Sequence, residues 1–323
     1  MAQTDYIRIP GIHHVTAISG SAQQNMDFYA DLLGLRTVKQ TVNFEDPGTH
    51  HLYYGDQAGT PGTAMTFFPW EHAARGGSGS GVIEATGFSV PPGSLEFWAD
   101  RLRAAGGSPG EVAVRFDEES LRCEDSDGLV FELVAGPATR ETPAGRPVHP
   151  DVPAEFAIHA FHGVLLHVVD PDPTARLLTD VMGFEHVGEY DGRLRFRGNE
   201  QDVGSIVDLR STGSEASARM GRGSVHHVAF RARDDGEQQS WRETIAAAGI
   251  PVTEVKDRCY FRSIYFREPG GVLFEIATDT PGFGVDESPS ELGRTLKLPP
   301  WFEARREELE AGLPVLILPD ERS

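Results

Sequence analysis

Two histidine doublets attract attention because each lies inside a short apolar segment with the pattern of a β-strand. The first is in GIHHVTAI, residues 11–18, and the second is in SVHHVAFR, residues 224–231. A third unusual position is Glu275, which lies within the apolar segment GGVLFEIA. Burial of a carboxylate is costly unless the group is paired or bound to a metal. The three segments therefore indicate a buried polar site built from imidazoles and a carboxylate.

The two members of each doublet are expected to play different parts. Side chains alternate between the two faces of a strand, so residues two apart share a face. His14 shares its face with Thr16, and His227 lies on the more polar face of its own strand. His13 and His226 fall on the opposite, apolar faces. We therefore expect His14 and His227 to point into the site, and their neighbours either to pack or to support them.

The combination of His14, His227 and Glu275 has the composition of a known metal-ligand set. Two histidines and one carboxylate on one face of the metal are typical of non-haem Fe(II) oxygenases, and they leave three coordination positions open. A lone histidine in a strand is more often a hydrogen-bonded core residue than a ligand. Two doublets at matching positions, together with an apolar-flanked glutamate, favour metal binding.

The segments that carry these residues belong to an internal repeat. Four times, the chain reads as one strand, one helix and three further strands, starting near residues 11, 81, 161 and 223. The helices FYADLLGL and LLTDVMGF correspond in the first and third repeats, and glycine closes each of them. We predict an α+β fold of four βαβββ modules that form two cup-shaped mixed-sheet domains, with a C-terminal helical tail.

The repeats are separated into two pairs by residues 136–155, which are rich in proline and glycine and are predicted to be a linker. We predict the first pair of modules at 8–136, the second at 156–280 and the tail at 281–323. The first strand of the second repeat has no histidine. We therefore expect one metal site, between modules one and four, and a second cup without metal. Glu132, in that second cup, is predicted to be a core residue.

Composition narrows the class of protein. The 323 residues carry a formal net charge of −20, which disfavours nucleic acids and anionic membranes as partners. There is no run of 18 apolar residues and no signal-like start, so we expect a cytoplasmic protein. Cys123 and Cys259 are the only cysteines, which argues against a disulfide framework.

Several longer segments together carry a resemblance to a known family. They are GIHHVTA, HHLYYGD, GTPGTAMTFFP, PPGSLEFW, HHVAF and YFREPGGVLFE. With them the chain resembles the vicinal oxygen chelate superfamily of glyoxalases, bleomycin resistance proteins and extradiol dioxygenases. It is most similar to the hydroquinone-type ring-cleaving dioxygenases. The resemblance implies Fe(II), or Mn(II), at His14, His227 and Glu275, insertion of both atoms of O2 into a small aromatic diphenol, and self-association into a homo-oligomer.

The resemblance also implies roles for other residues. Arg258 and Tyr265 match an arginine and a tyrosine of the family's pocket, and His13, Thr16 and His226 match positions around the metal. A phenol hydroxyl could act as acid or base, and an arginine could stabilise an anionic product. We expect His226 or Tyr265 to move the proton. From the residues alone, Arg258 could equally form a surface ion pair, and Tyr265 could be an ordinary aromatic of a strand face.

Two other functions stay open at this stage. A metal-dependent lyase or isomerase of the glyoxalase type would use Zn, Ni or Mn, generally with a second carboxylate ligand, and the corresponding strand GTAMTFFPW has none. A metal-free protein that sequesters aromatic compounds would not need the two histidines and the glutamate. His50 and His51 cannot be assigned, and Cys259 has no evident activating base. The sequence does not define the substrate, the cleavage position or the choice between iron and manganese.

Overall fold

The computed structural model describes residues 8–136, 149–198, 204–211, 213 and 216–321. Most of the predicted linker, at 137–148, lies outside these described residues. Within them, sixteen strands form two eight-stranded sheets. The strands are β1 Ile12–Ser19, β2 Arg36–Val42, β3 His50–Gly55, β4 Ala64–Pro69, β5 Val82–Val90, β6 Val112–Arg115, β7 Glu118–Glu124, β8 Val130–Ala135, β9 Ala160–His167, β10 Glu185–Tyr190, β11 Arg193–Arg197, β12 Ile206–Arg210, β13 Ser224–Ala232, β14 Lys256–Asp257, β15 Arg262–Arg267 and β16 Leu273–Thr278.

The helices are short and lie after the first strand of each module and in the tail. They are α1 Ala22–Met26, α2 Leu95–Ala104, α3 Pro171–Arg176, α4 Asp235–Ala247 and α5 Arg306–Gly312. Helices α1 and α3 each continue into a π-helical turn, at Asp27–Leu32 and Leu177–Val181. Short 3₁₀ helices lie at Phe283–Val285, Pro300–Arg305 and Pro319–Glu321. None of the helices in this part of the chain is long and apolar enough to cross a membrane.

The first sheet joins modules four and one, in the strand order β14-β15-β16-β13-β1-β4-β3-β2. The second joins modules three and two, in the order β10-β11-β12-β9-β5-β8-β7-β6. At the centre of each sheet the first strands of the two modules pair antiparallel, β1 with β13 and β9 with β5. The predicted fold of four modules in two curved mixed sheets is confirmed. Each sheet takes strands from both halves of the chain. The division of the chain into domains at 8–136 and 156–280 stays a prediction.

Local sequence signals begin and end the helices. Ser21 caps α1 by accepting a hydrogen bond from the backbone of Gln24, and an aspartate caps α4 in the same way. Gly34 and Gly183 end the corresponding helical segments of modules one and three with positive φ angles of 69° and 74°. A side chain is disfavoured in that conformation. A Cβ atom on Gly34 would also lie 2.8 Å from the Cγ2 atom of Val152.

The convex faces of the sheets pack on the helices, and the tail packs on the first sheet. Trp98 of α2 and Trp241 of α4 are almost completely buried in the main core. In the tail, Leu309 and Leu313 pack against Val42 of β2. The concave faces are therefore left to hold polar groups, one cup in each sheet.

Candidate metal centre

The register of the first sheet brings the predicted site residues together in two neighbouring rows. One row runs across Tyr265, Glu275, Ala229 and His14, on strands β15, β16, β13 and β1. Residues that are direct cross-strand partners point to the same face of a sheet. The carboxylate of module four therefore projects on the same side as the histidine of module one.

The second row lies beside the first. It runs across His227, Thr16, Thr66 and Tyr53, on strands β13, β1, β4 and β3. His227 precedes Ala229 by two residues, so it shares the face of the first row. Two strands that are more than 200 residues apart thus present one histidine each to the same concave surface.

A β-bulge lies at the first histidine of each doublet. Between Ile12 and His14, strand β1 advances two residues while β13 advances one, so His13 is the extra residue. Between Thr16 and Ala17 the situation is reversed, and the extra residue is His226 on β13. Bulges are common beside active sites because they redirect a side chain. Strict alternation does not apply where a bulge adds a residue: His226 lines the cavity, and each outer histidine contacts the ring of its inner neighbour.

Three buried donor atoms converge in the cup. The Nε2 atoms of His14 and His227 are 3.3 Å apart. The Oε2 atom of Glu275 lies 2.9 Å from His227 Nε2 and 3.6 Å from His14 Nε2. All three side chains are buried, and Glu275 is 0% exposed. Within the part of the chain that the structure describes, these three residues form the single cluster with a geometry that could hold a metal ion.

The fit of a cation to this cluster follows from the hydrogen bonding of Glu275. Its Oε1 atom accepts a short hydrogen bond from the Ser263 hydroxyl, whereas the buried Oε2 atom has no hydrogen bond of acceptable geometry. Burial opposes ionisation, but the nearby His14 and His227 hold the pKa of Glu275 well below its usual range. An ionised, buried oxygen without a hydrogen bond, facing two imidazole nitrogens, has the electrostatic character of a metal site.

Each doublet is held together by a hydrogen bond between its two rings. The Nδ1 atoms of His13 and His14 are 2.9 Å apart, and those of His226 and His227 are 2.7 Å apart. Burial, and then the neighbouring His227, lower the pKa of His226 to about 3, and burial lowers that of His13 as well. The Nδ1 atom of each inner histidine is thus engaged by its neighbour, which leaves its Nε2 directed at Glu275.

A cavity of about 420 Å³ opens above the three donor atoms. Its apolar walls include four aromatic side chains, Phe44, Phe68, Trp70 and Phe261. The ring of Phe261 also packs against His14, with a centroid separation of 4.9 Å. A cavity of this size that is lined by aromatic rings and a few polar groups is suited to a small organic ligand.

The predicted Arg258 and Tyr265 lie together on the cavity wall. The Nε of Arg258 donates to the Tyr265 hydroxyl at 3.0 Å, and its Nη1 donates to Glu45 at 2.7 Å. Burial, and then the charge of Glu275, raise the pKa of Tyr265 well above its usual value, so its hydroxyl keeps its proton. Arg258 therefore combines both predicted possibilities, because it forms an ion pair and also faces the cavity.

Two cavity residues could not be assigned from the sequence. His51 and Tyr53 project from β3 into the cavity, and the Tyr53 hydroxyl lies 2.9 Å from His51 Nδ1. The available signal is their spacing of two residues in HHLYYG, which places both on one strand face. His50 lies on the other face, where its Nε2 approaches the Pro314 carbonyl oxygen at 2.9 Å.

The second cup is filled by ion pairs. Glu132, which corresponds to Glu275, forms two hydrogen bonds with Arg193, at 2.7 and 3.1 Å. Bulges occur in the same places as in the first sheet, at Glu84 and His162, but the residues that follow them are Ala85 and Gly163 instead of the inner histidines. The remaining space in this cup is about 20 Å³.

Further charged groups complete this network. Arg195 pairs with Asp208, with nitrogen–oxygen distances of 2.8 and 2.9 Å. Glu118 is hydrogen-bonded to Arg195 and to His162. The guanidinium groups occupy the volume that the cavity occupies in the first cup. Glu132 thus has the core position predicted for it.

Cys259 lies beside the cavity residue Arg258, with a positive φ of 65°. Burial, and then the nearby Asp257, raise the pKa of the Cys259 thiol to about 12. The thiol is therefore protonated and unreactive near neutral pH, in agreement with the absence of an activating base.

Comparison with known proteins agrees with the architecture. The family model described as "Glyoxalase/Bleomycin resistance protein/Dioxygenase superfamily" matches residues 11–133 and 160–276. A Bacillus subtilis protein named "Putative ring-cleaving dioxygenase MhqO" is 46% identical over 94% of this chain and 95% of its own length. A protein of Sphingobium indicum named "Chlorohydroquinone/hydroquinone 1,2-dioxygenase" is 32% identical over 94% of this chain and 95% of its own.

Solved structures show the same likeness. The crystal structure of a "putative dioxygenase" from Bacillus subtilis superposes with a TM-score of 0.91 at 44% identity, over 96% of this chain and 98% of the other. Glyoxalase I from Zea mays shares the fold, with a TM-score of 0.59 at 14% identity, over 84% of this chain and 92% of its own. The resemblance that the sequence motifs indicate is confirmed, and the chain belongs to the glyoxalase/bleomycin resistance protein/dioxygenase superfamily.

Proposed function

We propose that the protein is an Fe(II)-dependent, extradiol-type dioxygenase that inserts both atoms of O2 into a hydroquinone- or catechol-type aromatic ring. The observation that carries this proposal is the convergence of three buried donor atoms, from His14, His227 and Glu275, at the floor of an aromatic-walled cavity. The names of the relatives, ring-cleaving dioxygenases and a hydroquinone dioxygenase, support the same class of reaction.

His14, His227 and Glu275 would hold the metal, for which we propose Fe(II), with Mn(II) as the substitute. When bound, the metal would supply redox chemistry with O2 and a positive charge that lowers the pKa of a coordinated phenol. Two histidines and one carboxylate are the ligand set of non-haem Fe(II) oxygenases, and they leave room for both substrates. The protein itself would hold these three donor atoms in place and exclude water from the site.

The doublets set the protonation of the ligands. A histidine that binds through Nε2 keeps its proton on Nδ1 and donates it to a neighbouring acceptor. In this chain that acceptor is Nδ1 of the other histidine of the doublet, for His14 and for His227 alike. His226 then carries its own proton on Nε2, and its side chain lines the cavity. We propose that His226 Nε2 exchanges a proton with a substrate oxygen.

Arg258 and Tyr265, which line the same cavity, would act on the same substrate. Arg258 keeps the Tyr265 hydroxyl in place, and its charge favours an anionic substrate or product in the cavity. Tyr265 is a direct cross-strand partner of Glu275, so the two side chains share a face of the sheet, and its ring centroid lies 6.0 Å from that of His227. We propose that Tyr265 hydrogen-bonds the substrate and that Arg258 positions Tyr265.

The aromatic walls would orient the ring of the substrate. Phe68 and Trp70 lie next to each other, with centroids 5.6 Å apart, and Phe68 also contacts the ring of His226 at 5.8 Å. Aromatic rings favour offset or edge-to-face contact with another ring and exclude water. A flat diphenol fits this environment, whereas a flexible aliphatic substrate would gain less from it.

The alternative of a glyoxalase-type lyase is less well supported. Such an enzyme generally has a second carboxylate ligand, and in the second cup the carboxylate of Asp208 occupies the corresponding strand, β12. In the first cup, β4 carries Thr66 instead of a carboxylate. A metal-free resistance protein would not explain the buried Glu275 oxygen without a hydrogen bond. A cytoplasmic location and a homo-oligomer stay predictions.

Oxygen uptake tests the proposal directly. Protein reconstituted with Fe(II) under anaerobic conditions is mixed with O2 and with a panel of hydroquinones and catechols. We expect one O2 consumed per diphenol and, with labelled oxygen gas, two labelled atoms in the ring-opened acid. Turnover of a hemithioacetal, without oxygen uptake on any diphenol, would support the lyase and contradict the dioxygenase.

A further inference from the structure

A chain of four hydrogen-bonding side chains crosses the first sheet beside the cavity. Thr16 and Thr66 are joined at 2.8 Å between their hydroxyl oxygens, and Thr66 lies 3.0 Å from Nε2 of His51. The Nδ1 atom of His51 in turn lies 2.9 Å from the Tyr53 hydroxyl. The register explains this arrangement, because Thr16, Thr66 and Tyr53 are direct partners on β1, β4 and β3.

The two ends of this chain lie in different surroundings. Thr16 is 0% exposed and, among the described residues, its hydroxyl has no hydrogen-bond partner other than Thr66. Tyr53 lines the cavity, together with His51. The Thr16 end of this hydrogen-bond series is therefore buried away from solvent, and the Tyr53 end can meet a ligand in the cavity.

A count of the protons fixes the direction of the hydrogen bonds. Three hydroxyls and a neutral imidazole offer four protons, and the three links use three of them. If Tyr53 donated to His51, the spare proton would be that of Thr16 or of Thr66, and neither hydroxyl has another acceptor among the described residues. A buried unsatisfied donor is costly. If Thr16 donates to Thr66 and the order continues outward, the spare proton is on Tyr53. Burial holds the pKa of His51 well below its usual value, which agrees with a neutral ring.

We propose that Tyr53 is a further substrate-contacting residue, whose hydroxyl proton is directed into the cavity by His51, Thr66 and Thr16. Tyr53 would donate this proton in a hydrogen bond to an oxygen of the bound diphenol. His51, Thr66 and Thr16 are positioning residues, since they act on the substrate only through Tyr53. This inference rests on the proposed function for the identity of the ligand. It also gives Thr16 a physical role: its hydroxyl has only Thr66 as a partner, so it must donate to Thr66, and this sets the direction of the other hydrogen bonds.

The test is the binding of hydroquinone to the iron-loaded protein without O2, measured by calorimetry. Tyr53→Phe removes the donor and should weaken binding roughly tenfold, the range for one hydrogen bond to a polar or charged oxygen. Thr66→Val interrupts the series of hydrogen bonds at a residue outside the cavity and should weaken binding by roughly threefold or more. Thr66→Ser keeps the hydroxyl and should restore the wild-type Kd.

Two controls separate positioning from general damage. Thr86 is a buried threonine of the second sheet whose hydroxyl has no partner among the described residues, so Thr86→Val should leave the Kd unchanged. In the Tyr53→Phe background, Thr66→Val should have less than about a twofold effect, because residues that act through one group are not additive. A structural disturbance would persist in both backgrounds.

The outcomes distinguish this inference from the proposed reaction. Unchanged hydroquinone binding by Tyr53→Phe, additive effects of the two substitutions, or no binding by the wild-type protein would each overturn the inference. If Tyr53→Phe binds hydroquinone at the wild-type Kd while O2 is still consumed, the inference fails and the proposed function stands. If hydroquinone binds as predicted but no O2 is consumed, the inference stands and the proposed reaction fails.

Discussion

Replacement of Arg193 by methionine tests whether the second cup is a structural element and not a second reaction site. Arg193 and Glu132 are both buried, with side chains 7% and 9% exposed, and they form two hydrogen bonds. The variant leaves the Glu132 carboxylate buried with more distant partners, Arg115 at 3.4 Å and Arg122 at 3.7 Å. Removal of one member of a buried pair costs about 3–5 kcal/mol. Since two arginines remain nearby, we expect a loss near 3 kcal/mol.

The assay is urea-induced unfolding of the metal-free protein, with iron content and oxygen uptake measured separately. Arg193→Met should lower the unfolding midpoint, whereas the iron-loaded variant should keep one iron per chain and wild-type turnover. Arg103→Met is the control, because Arg103 pairs with Asp100 on the surface at 3.0 Å, where such pairs contribute about 0–1 kcal/mol. The double variant Glu132→Gln/Arg193→Met should regain part of the lost stability, because position 132 then no longer carries a buried carboxylate charge.

Either of two results would contradict a purely structural role of the second cup. A free energy of unfolding within about 1 kcal/mol of wild type would show that the pair contributes little to folding. A stable Arg193→Met variant that loses iron or turnover would show that the second cup takes part in the reaction.

Three further predictions concern the site and the ion pairs. His226→Gln should keep iron but lose roughly 10²-fold or more in kcat, because it removes the proposed proton carrier; wild-type kcat would contradict that role. Glu45→Gln should raise KM for a diphenol more than it lowers kcat, because it releases Arg258 at the cavity wall; steady-state kinetics that show the reverse would contradict it. Burial opposes ionisation of Glu118, but His162 and Arg195 lower its pKa from 4.5 to about 2. Its ionised carboxylate therefore contributes fully to the free energy of unfolding above pH 4.5, and this contribution is lost as the pH falls from 4.5 toward 2. Urea unfolding of Glu118→Gln should therefore show a weaker pH dependence in that window than the wild type, and identical profiles would contradict the assignment.

The positions of the inner histidines could be predicted because strand alternation is a short-range property. His14 and His227 face the cup as the spacing of the apolar residues requires. The bulges at His13 and His226 could not be predicted, since a bulge depends on the register between two strands that are far apart in sequence.

The rest of the cavity depends on contacts that only the assembled sheet defines. Tyr53 becomes the end of a hydrogen-bond chain because β3, β4 and β1 are neighbours in one register. Glu45 meets Arg258 across 213 residues of sequence, and no local pattern indicates that pairing. The repeat itself, in contrast, was readable from the sequence, because each module has its own strand and helix signals and a glycine after its first helix in modules one and three.

The measurement that tests the central claim most directly is the position of bound iron in crystals of anaerobically loaded protein, by anomalous diffraction. We predict one iron per chain, bonded to Nε2 of His14, Nε2 of His227 and a carboxylate oxygen of Glu275, and no iron peak in crystals of His14→Ala. An iron peak in the second cup, or a fully occupied peak in His14→Ala, would contradict the account.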